Sequence, residues 1–311
     1  MKHLTSVDGT PADGFSFGTM QFGGKADAGQ SRAMYEACRA AGISHFDTAW
    51  IYTGGASETL LGQMIGDERD KLLIATKYGA VDGAGMATMR RQFDESRARL
   101  GMDMVDVFYL HGFDPDTELR ETMQGMAELR DAGQIRYVGL SNFSAWQTMK
   151  AARIAAEFDL TIDIIQPMYN LVKRVAEVEI LPMSVDQNIA VAAYSPLGGG
   201  LLTGKYRGKD LGRLREDNRY AVRYRHDWMY EVADALSDLA EESGIDPATL
   251  AVAWVAAHPT GPIPIISARN ADQLRPSLAA MDLDLDPALY ARISALTPTP
   301  PLATDRSEEQ E

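Results

Sequence analysis

Cysteine occurs once in the 311 residues, at Cys38, which excludes an internal disulfide framework. Basic residues are scarce beside acidic ones, 30 Lys and Arg against 44 Asp and Glu, for a formal net charge of −14. Such a surface repels polyanions, so non-specific nucleic-acid binding and attraction to anionic membranes are excluded as main roles. An anionic ligand would need a local cluster of donors working against the overall field. No apolar run reaches the length of a membrane span, and the opening residues, MKHLTSVDGTPADG, hold no apolar leader core. The histidines (His3, His45, His111, His226 and His258) show no ligand spacing and no Cys/His cluster accompanies them, so no metal is expected. These absences point to a cytoplasmic chain whose partner is a small molecule, with no nucleic acid and no membrane; they leave the oligomeric state open. Cys38 lies in an amphipathic helical pattern, where a packed thiol is expected.

What is present is an alternation. Short apolar, β-branched or aromatic runs recur: FSFGTMQF, SHFDTAW, KLLIATKYG, VDVFYLHG, IRYVGLSNF, IDIIQPMYN, IAVAAYSPLG and IPIISAR, eight in all. Amphipathic helical patterns separate them, among them QSRAMYEACRAAG, ATMRRQFDESRARLG, LRETMQGMAELRDAG and SAWQTMKAARIAAEF. Gly42, Gly101 and Gly133 stand where a left-handed residue would stop a helix. Eight β-then-α units in one chain predict an α/β fold, a (β/α)8 TIM barrel with its site at the C-terminal face of the strands. An open doubly wound sheet is the alternative, but the first βα turn lacks the G-x-G-x-x-G phosphate fingerprint. One domain over 1–297 is expected, followed by a Pro-rich, then acidic tail over 298–311 that reads as poorly ordered. The spacing breaks once, between the seventh and eighth runs. A charged loop there, around Arg213, Arg219 and Tyr220, is either a solvated surface or a flap over the site. Within it GGLLTGKY, Gly199 to Tyr206, approaches a triphosphate-binding loop but ends on Tyr206, without the metal-binding hydroxyl of Ser or Thr.

In a barrel, chemistry sits where strands end. The runs end on polar groups: Asp47, Lys77, His111, Ser141 with Asn142, Gln166, and Tyr194 with Ser195. One polar strand end is an ordinary cap; an encircling set is a site. Asp47 and Lys77 end neighbouring strands about 5 Å apart, close enough to pair. Tyr52 follows in HFDTAWIYTGGASETLLG. A phenol has a reference pKa near 10, and a lysine cation beside it favours the phenolate. Tyrosine, lysine, histidine and aspartate together form a tunable acid–base unit.

The stretches FDTAWIYTGGASETLLG, ATKYG, DVFYLHGFDPDT, AGQIRYVGLSNFS, IIQPMYNLVKR, AYSPLGGGLLTGKY and IPIISARNADQL resemble the aldo-keto reductases, over nearly the whole chain. The resemblance implies that Tyr52 donates a proton to a substrate carbonyl, Lys77 lowers its pKa, Asp47 orients Lys77 and His111 positions the carbonyl. It implies NADPH as cofactor and an aldehyde or ketone as substrate. Ser141, Asn142 and Gln166 would bind the nicotinamide carboxamide and Tyr194 would stack on the ring. Gly18, Thr19, Met20, Ser195, Pro196, Leu197, Gly199, Leu201 and Lys205 would contact the remainder as far as the pyrophosphate. Ile266, Ser267, Ala268, Arg269 and Gln273 would hold the adenosine 2′-phosphate end. Arg269 is the strong cation there and favours NADPH. Pro276 and Ser277 replace the Glu-Asn pair usual in the family, which leaves NADH use open. Gly112 and Phe113 follow His111 where many members have Trp, so Phe22, Trp50, Gly112 and Phe113 are the candidate walls of the substrate pocket. Two rival readings stand beside this one: a Schiff-base lyase using Lys77, and a cofactor-binding regulatory subunit of the potassium-channel type with slow or no turnover.

Overall fold

The structure, a computed structural model, describes residues 2–12, 14–207 and 218–306. Eight parallel strands close into a barrel in sequence order. They are β1 (Ser16–Gly18), β2 (His45–Asp47), β3 (Leu73–Tyr78), β4 (Val105–Leu110), β5 (Ile135–Ser141), β6 (Ile164–Gln166), β7 (Ala190–Tyr194) and β8 (Ile263–Ile266). The ring closes where Ser16 pairs with Ile265. The expected (β/α)8 barrel is therefore the observed fold.

Helices alternate with the strands: α1 (Ala28–Ala40), α2 (Ala56–Ile65), α3 (Met86–Leu100), α4 (Leu119–Asp131), α5 (Ala145–Ala155) and α6 (Ile180–Asp186). Between β7 and β8 lie α7 (Asn218–Arg223), α8 (Asp227–Ser243) and α9 (Pro247–Ala256); α10 (Ala271–Ala279) and α11 (Pro287–Ser294) follow β8. Their starts are written in the sequence. Asp27 and Ser144 close capping boxes with Gln30 and Gln147, and Asp246 and Asp286 cap helices that open on proline. Gly42, Gly101 and Gly133 all take positive φ, as expected of helix stops. Among the described residues no helix is long and apolar enough to cross a membrane. Arg213 and residues 307–311 of the tail lie outside the described residues, and nothing is described of the Arg219 side chain.

Strand alternation sorts the side chains. Leu73, Ala75, Val107, Tyr109, Ile164, Ala190, Ala192 and Ile265 pack together as a core inside the barrel. The larger cluster, with Phe46, Ile74, Phe108, Leu110, Val138, Leu140 and Ile165, meets the helices outside. Tyr109 fits inside because its neighbour across the ladder is Gly139, where a Cβ would come within 2.2 Å of the ring. A short hairpin at the start of the chain, bridged between Thr5 and Pro11, pushes Leu4 and Ala12 into the lower end of this core. The upper end carries Asp47, Lys77, Ser141, Gln166 and Tyr194.

Candidate active site

Asp47 and Lys77 sit at the top of the barrel interior, Asp47 3% exposed and Lys77 fully buried. The Lys77 ammonium pairs with Asp47 Oδ1 and donates to the Thr48 carbonyl at 2.7 Å. Asp47 Oδ2 accepts from Gln166 Nε2 at 2.8 Å. The carboxylate is thus paired and hydrogen-bonded, the condition under which burying it is tolerable. Burial pulls Lys77 below the ordinary lysine range, while the charges of Asp47 and Glu58 oppose that shift. The ammonium lies 5.2 Å from the centroid of the Tyr52 ring and 5.6 Å from that of Tyr109. The His111 ring meets Tyr52 edge-on, centroids 5.9 Å apart. Burial, and then the charge of Lys77, push His111 down to about 3, so its imidazole is neutral at ordinary pH. Its Nδ1 is buried without a hydrogen-bond partner among the described residues.

The loop that presents Tyr52 is strained and held. Thr53, Gly54 and Gly55 all take left-handed backbone, φ 48°, 64° and 95°, which is costly for a β-branched threonine. Thr53 Oγ1 donates to the Phe22 carbonyl at 2.8 Å and accepts from Ser57 N at 3.0 Å. From α3, Arg99 donates to the Trp50 carbonyl at 3.0 Å and to Glu58 at 3.1 Å. Its guanidinium fills the space a Cβ on Gly55 would take, within 2.6 Å. Glu58 is fully buried and accepts from Thr76 Oγ1 at 2.6 Å, so the loop is locked to β3, the strand that carries Lys77.

Tyr52, His111 and Asp47 open into a cavity of about 660 Å³, a volume suited to a cofactor and a small substrate. Its lining runs through Ser141, Asn142, Gln166 and Tyr194 to Leu197, Gly199 and Lys205, and ends at Ser267, Arg269 and Gln273. Asn142 and Ser195 take left-handed backbone at φ 58° and 61°. The Tyr194 hydroxyl donates to Asn142 Oδ1 at 2.7 Å, and Asn142 Nδ2 donates to the His111 carbonyl at 2.8 Å. At the turn after β7, Gly199 and Gly200 have φ 67° and 98°. A Cβ on Gly199 would meet Tyr220 at 2.7 Å and one on Gly200 would meet Lys205 Nζ at 2.6 Å, so only glycine leaves this turn open.

Residues 15–298 match the model of the aldo/keto reductase family. This chain belongs to that family. Among its relatives is a probable voltage-gated potassium channel subunit beta of Oryza sativa subsp. japonica, 32% identical over 91% of this chain and 92% of the relative. The uncharacterized oxidoreductase YrpG of Bacillus subtilis (strain 168) is 32% identical over 91% of each. Aflatoxin B1 aldehyde reductase member 2 of Rattus norvegicus is 31% identical over 91% of this chain and 84% of the relative. Membership makes the chain an oxidoreductase of the carbonyl-reducing type, in a family that generally uses nicotinamide cofactors.

Within this reductase, the cavity gathers many of the residues singled out from the sequence. Gly18, Met20, Asp47, Tyr52, His111, Ser141, Asn142, Gln166, Tyr194, Ser195, Pro196, Leu197, Gly199, Lys205, Ser267, Ala268, Arg269 and Gln273 all line it. Lys77 lies just beneath. Thr19, Leu201 and Ile266 do not line it: Leu201 and Ile266 are core, and buried Thr19 bonds the Asp47 carbonyl at 3.1 Å and Ser57 at 2.8 Å. None of the four expected pocket walls lines it either. Phe22 is fully buried against Phe17, 5.6 Å between centroids. Trp50 turns outward, donating to Glu95 at 2.7 Å with Arg91 and Arg99 over its ring. Phe113 packs on Phe143 and Trp146 at the surface, centroids 5.5 and 6.0 Å away, and a Cβ on Gly112 would meet only open space. The lining includes residues the sequence did not single out, among them Gln21, Thr203, Arg223, Asp246, Ala248 and Ile265. Period 2 could have flagged Ile265 through its strand; nothing periodic marks Arg223 or Asp246.

Proposed function

We propose that the chain reduces an aldehyde or ketone to an alcohol with NADPH, Tyr52 acting as the general acid. The observation that carries this reading is the placement of the buried Lys77 ammonium, paired to Asp47, 5.2 Å from the centroid of the Tyr52 ring at the base of the cavity. The residues present fit the cofactor. Ser267 Oγ is buried at the far end of the cavity with no hydrogen-bond partner among the described residues, beside Arg269 and Gln273. A hydroxyl and a guanidinium are the donors a 2′-phosphate requires, and the glycine turn with Lys205 suits a pyrophosphate. Ser141 and Asn142 would hold the carboxamide, with Gln166 bridging them to Asp47; Tyr194 would pack on the ring. NADPH, when bound, supplies the hydride.

The chain's own part is positioning and proton handling. A carbonyl oxygen between Tyr52 Oη and His111 is polarised by two neutral donors. As negative charge grows on that oxygen, Tyr52 gives up its proton, and the Lys77 ammonium stabilises the phenolate left behind. Asp47 keeps Lys77 protonated, which argues against a Schiff-base nucleophile at that position. His111, neutral, donates without repelling Lys77. Arg269 supports NADPH over NADH; Pro276, lining the cavity where the family places Glu, leaves a looser hold on adenine.

The rice relative named as a channel subunit keeps a second reading in view, a protein that binds cofactor and signals its state with little turnover. One experiment separates them. The purified protein is titrated with NADPH and with NADH by tryptophan fluorescence, then given 4-nitrobenzaldehyde while the reduced-nicotinamide absorbance is followed. Tighter NADPH binding with turnover is expected. Binding without turnover on any aldehyde favours the second reading, and failure to bind either cofactor overturns both.

A further inference from the structure

Arg223 and Lys173 are cations that the chemistry above does not use. Arg223 ends α7 and lines the cavity. Its guanidinium lies 5.6 Å from the centroid of Tyr220, the buried ring that packs on Gly199. Lys173, in the loop after β6, holds Nζ 5.8 Å from the centroid of Tyr224. Asn170 Nδ2 bonds both the Tyr224 hydroxyl, at 3.4 Å, and the Ser195 carbonyl, at 2.9 Å. These contacts tie both cations to the top of β7, next to Tyr194. The charge of Arg223 is felt at Lys173 and at the Tyr194 hydroxyl alike.

Both side chains are partly buried, and among the described residues neither has a carboxylate within ion-pair distance. The contrast is next door: Arg174 is gripped by Glu177 through two bonds of 2.9 Å. Holding two like charges together in a partly desolvated place is unfavourable until an anion joins them. The catalytic base of the cavity cannot balance them, since Asp47 cancels Lys77 and His111 is neutral. In a chain of net charge −14, Arg223 brings a positive charge into the cavity lining on the side of Tyr194, with Lys173 behind it.

We propose that Arg223, seconded by Lys173, is an anion subsite that selects carbonyl substrates bearing a carboxylate or another anionic oxygen group. The inference rests on the carbonyl-reductase reading for its substrate class. The phosphates of the cofactor are the other possible source of such oxygens, but Lys205 and Arg269 already stand along their path.

The test compares 4-carboxybenzaldehyde with its methyl ester, alike in shape around the aldehyde and different in charge, at low salt. For the wild type kcat/KM should favour the carboxylate by about tenfold, the scale of one charge-assisted hydrogen bond. That ratio should fall towards one in Arg223→Met, recover in part in Arg223→Lys, drop about threefold in Lys173→Gln, and shrink in 0.5 M salt. Benzoate binding, read by calorimetry on the protein mixed with NADP+, should weaken about tenfold in Arg223→Met; melting curves check folding. An unchanged ratio in Arg223→Met overturns the proposal. So does weaker NADPH binding in that variant with the ratio intact, which would give the charge to the cofactor. If the wild type turns over neither aldehyde, the reductase reading fails, while benzoate binding that depends on Arg223 still upholds the subsite and its absence removes it.

Discussion

At the lower mouth of the barrel, Asp106 and Asp163 are buried, and each accepts a backbone N–H from a neighbouring strand, Ile74 at 2.9 Å and Val138 at 2.7 Å. Arg69 and Arg136 each meet Asp106 at 2.8 Å, Lys2 meets Asp163, and Arg136 also reaches the Thr5 carbonyl of the hairpin at 2.7 Å. At the upper mouth, Asp47 and Lys77 make a pair buried on both sides, whereas the cations below are partly exposed, and Tyr52 and His111 just beyond that pair line the cavity. The residue types are the same. Below, both carboxylates are met by protein and the hairpin packs Leu4 and Ala12 into the core, so the network serves the fold. Above, Tyr52 and His111 line the open cavity, and His111 Nδ1 is buried with no hydrogen-bond partner among the described residues. Barrels of this class divide their ends in this way.

The largest expected effect breaks the upper mouth alone. Tyr52→Phe removes one hydroxyl, and aldehyde turnover should fall about 10³-fold, within the range of a lost general acid, with cofactor affinity and melting temperature near wild type. Steady-state kinetics on a panel of aldehydes reads it; turnover within tenfold of wild type would remove Tyr52 from the role of acid.

Making one change at both mouths sharpens the contrast. Asp47→Asn leaves a buried ammonium without its counter-charge, and turnover should drop about 10²-fold. Asp106→Asn should cost about 3 kcal/mol in urea denaturation while turnover per folded molecule stays within twofold. Activity lost with Asp106→Asn and kept with Asp47→Asn would mean that the ends have been assigned the wrong way round.

How much of this is legible in the sequence differs between the parts. Eight strands, their order and the ring of polar strand ends follow from local pattern, because period 2 decides which side chains enter the barrel. Direction in loops does not. Gln21 lines the cavity while Phe22 beside it enters the core, and no period runs through that turn to say which would. Trp50 reads as a pocket wall until Arg91 and Arg99, some forty residues on, are seen to claim its ring. Gln166 reads as a cofactor ligand, and its bond to Asp47 crosses the barrel from strand six to strand two. Arg223 is hidden in a charge run that looks like solvated surface.

A smaller effect is expected one shell out. Arg99 holds the Tyr52 loop through the Trp50 carbonyl and Glu58 without lining the cavity. Arg99→Met should lower kcat about tenfold, with KM little changed, and cost roughly 2 kcal/mol, since buried Glu58 loses its cation. Arg99→Lys should recover only part, because an ammonium on one stem cannot also reach Glu95, which the second guanidinium nitrogen meets at 3.3 Å. A loss confined to stability would make the pair ordinary scaffolding, like the ion pairs of the lower mouth.

The smallest effect concerns His111, and it follows from protons. Burial and the Lys77 charge hold the folded imidazole at about 3, while an unfolded histidine titrates near 6.5. Between those values the unfolded chain binds a proton that the folded chain refuses, so stability is full above about pH 6.5 and falls as pH drops towards 3. The slope from this one group approaches about 1.4 kcal/mol per pH unit. Other groups of the chain also respond to pH, so the clean quantity is a difference: urea denaturation of wild type and of His111→Gln, from pH 7 to pH 4.5. The variant should lose less stability across that range. Equal losses would mean that burial and Lys77 do not hold His111 neutral in the folded state, and below about pH 6.5 the carbonyl would then meet an imidazolium there instead of a neutral donor.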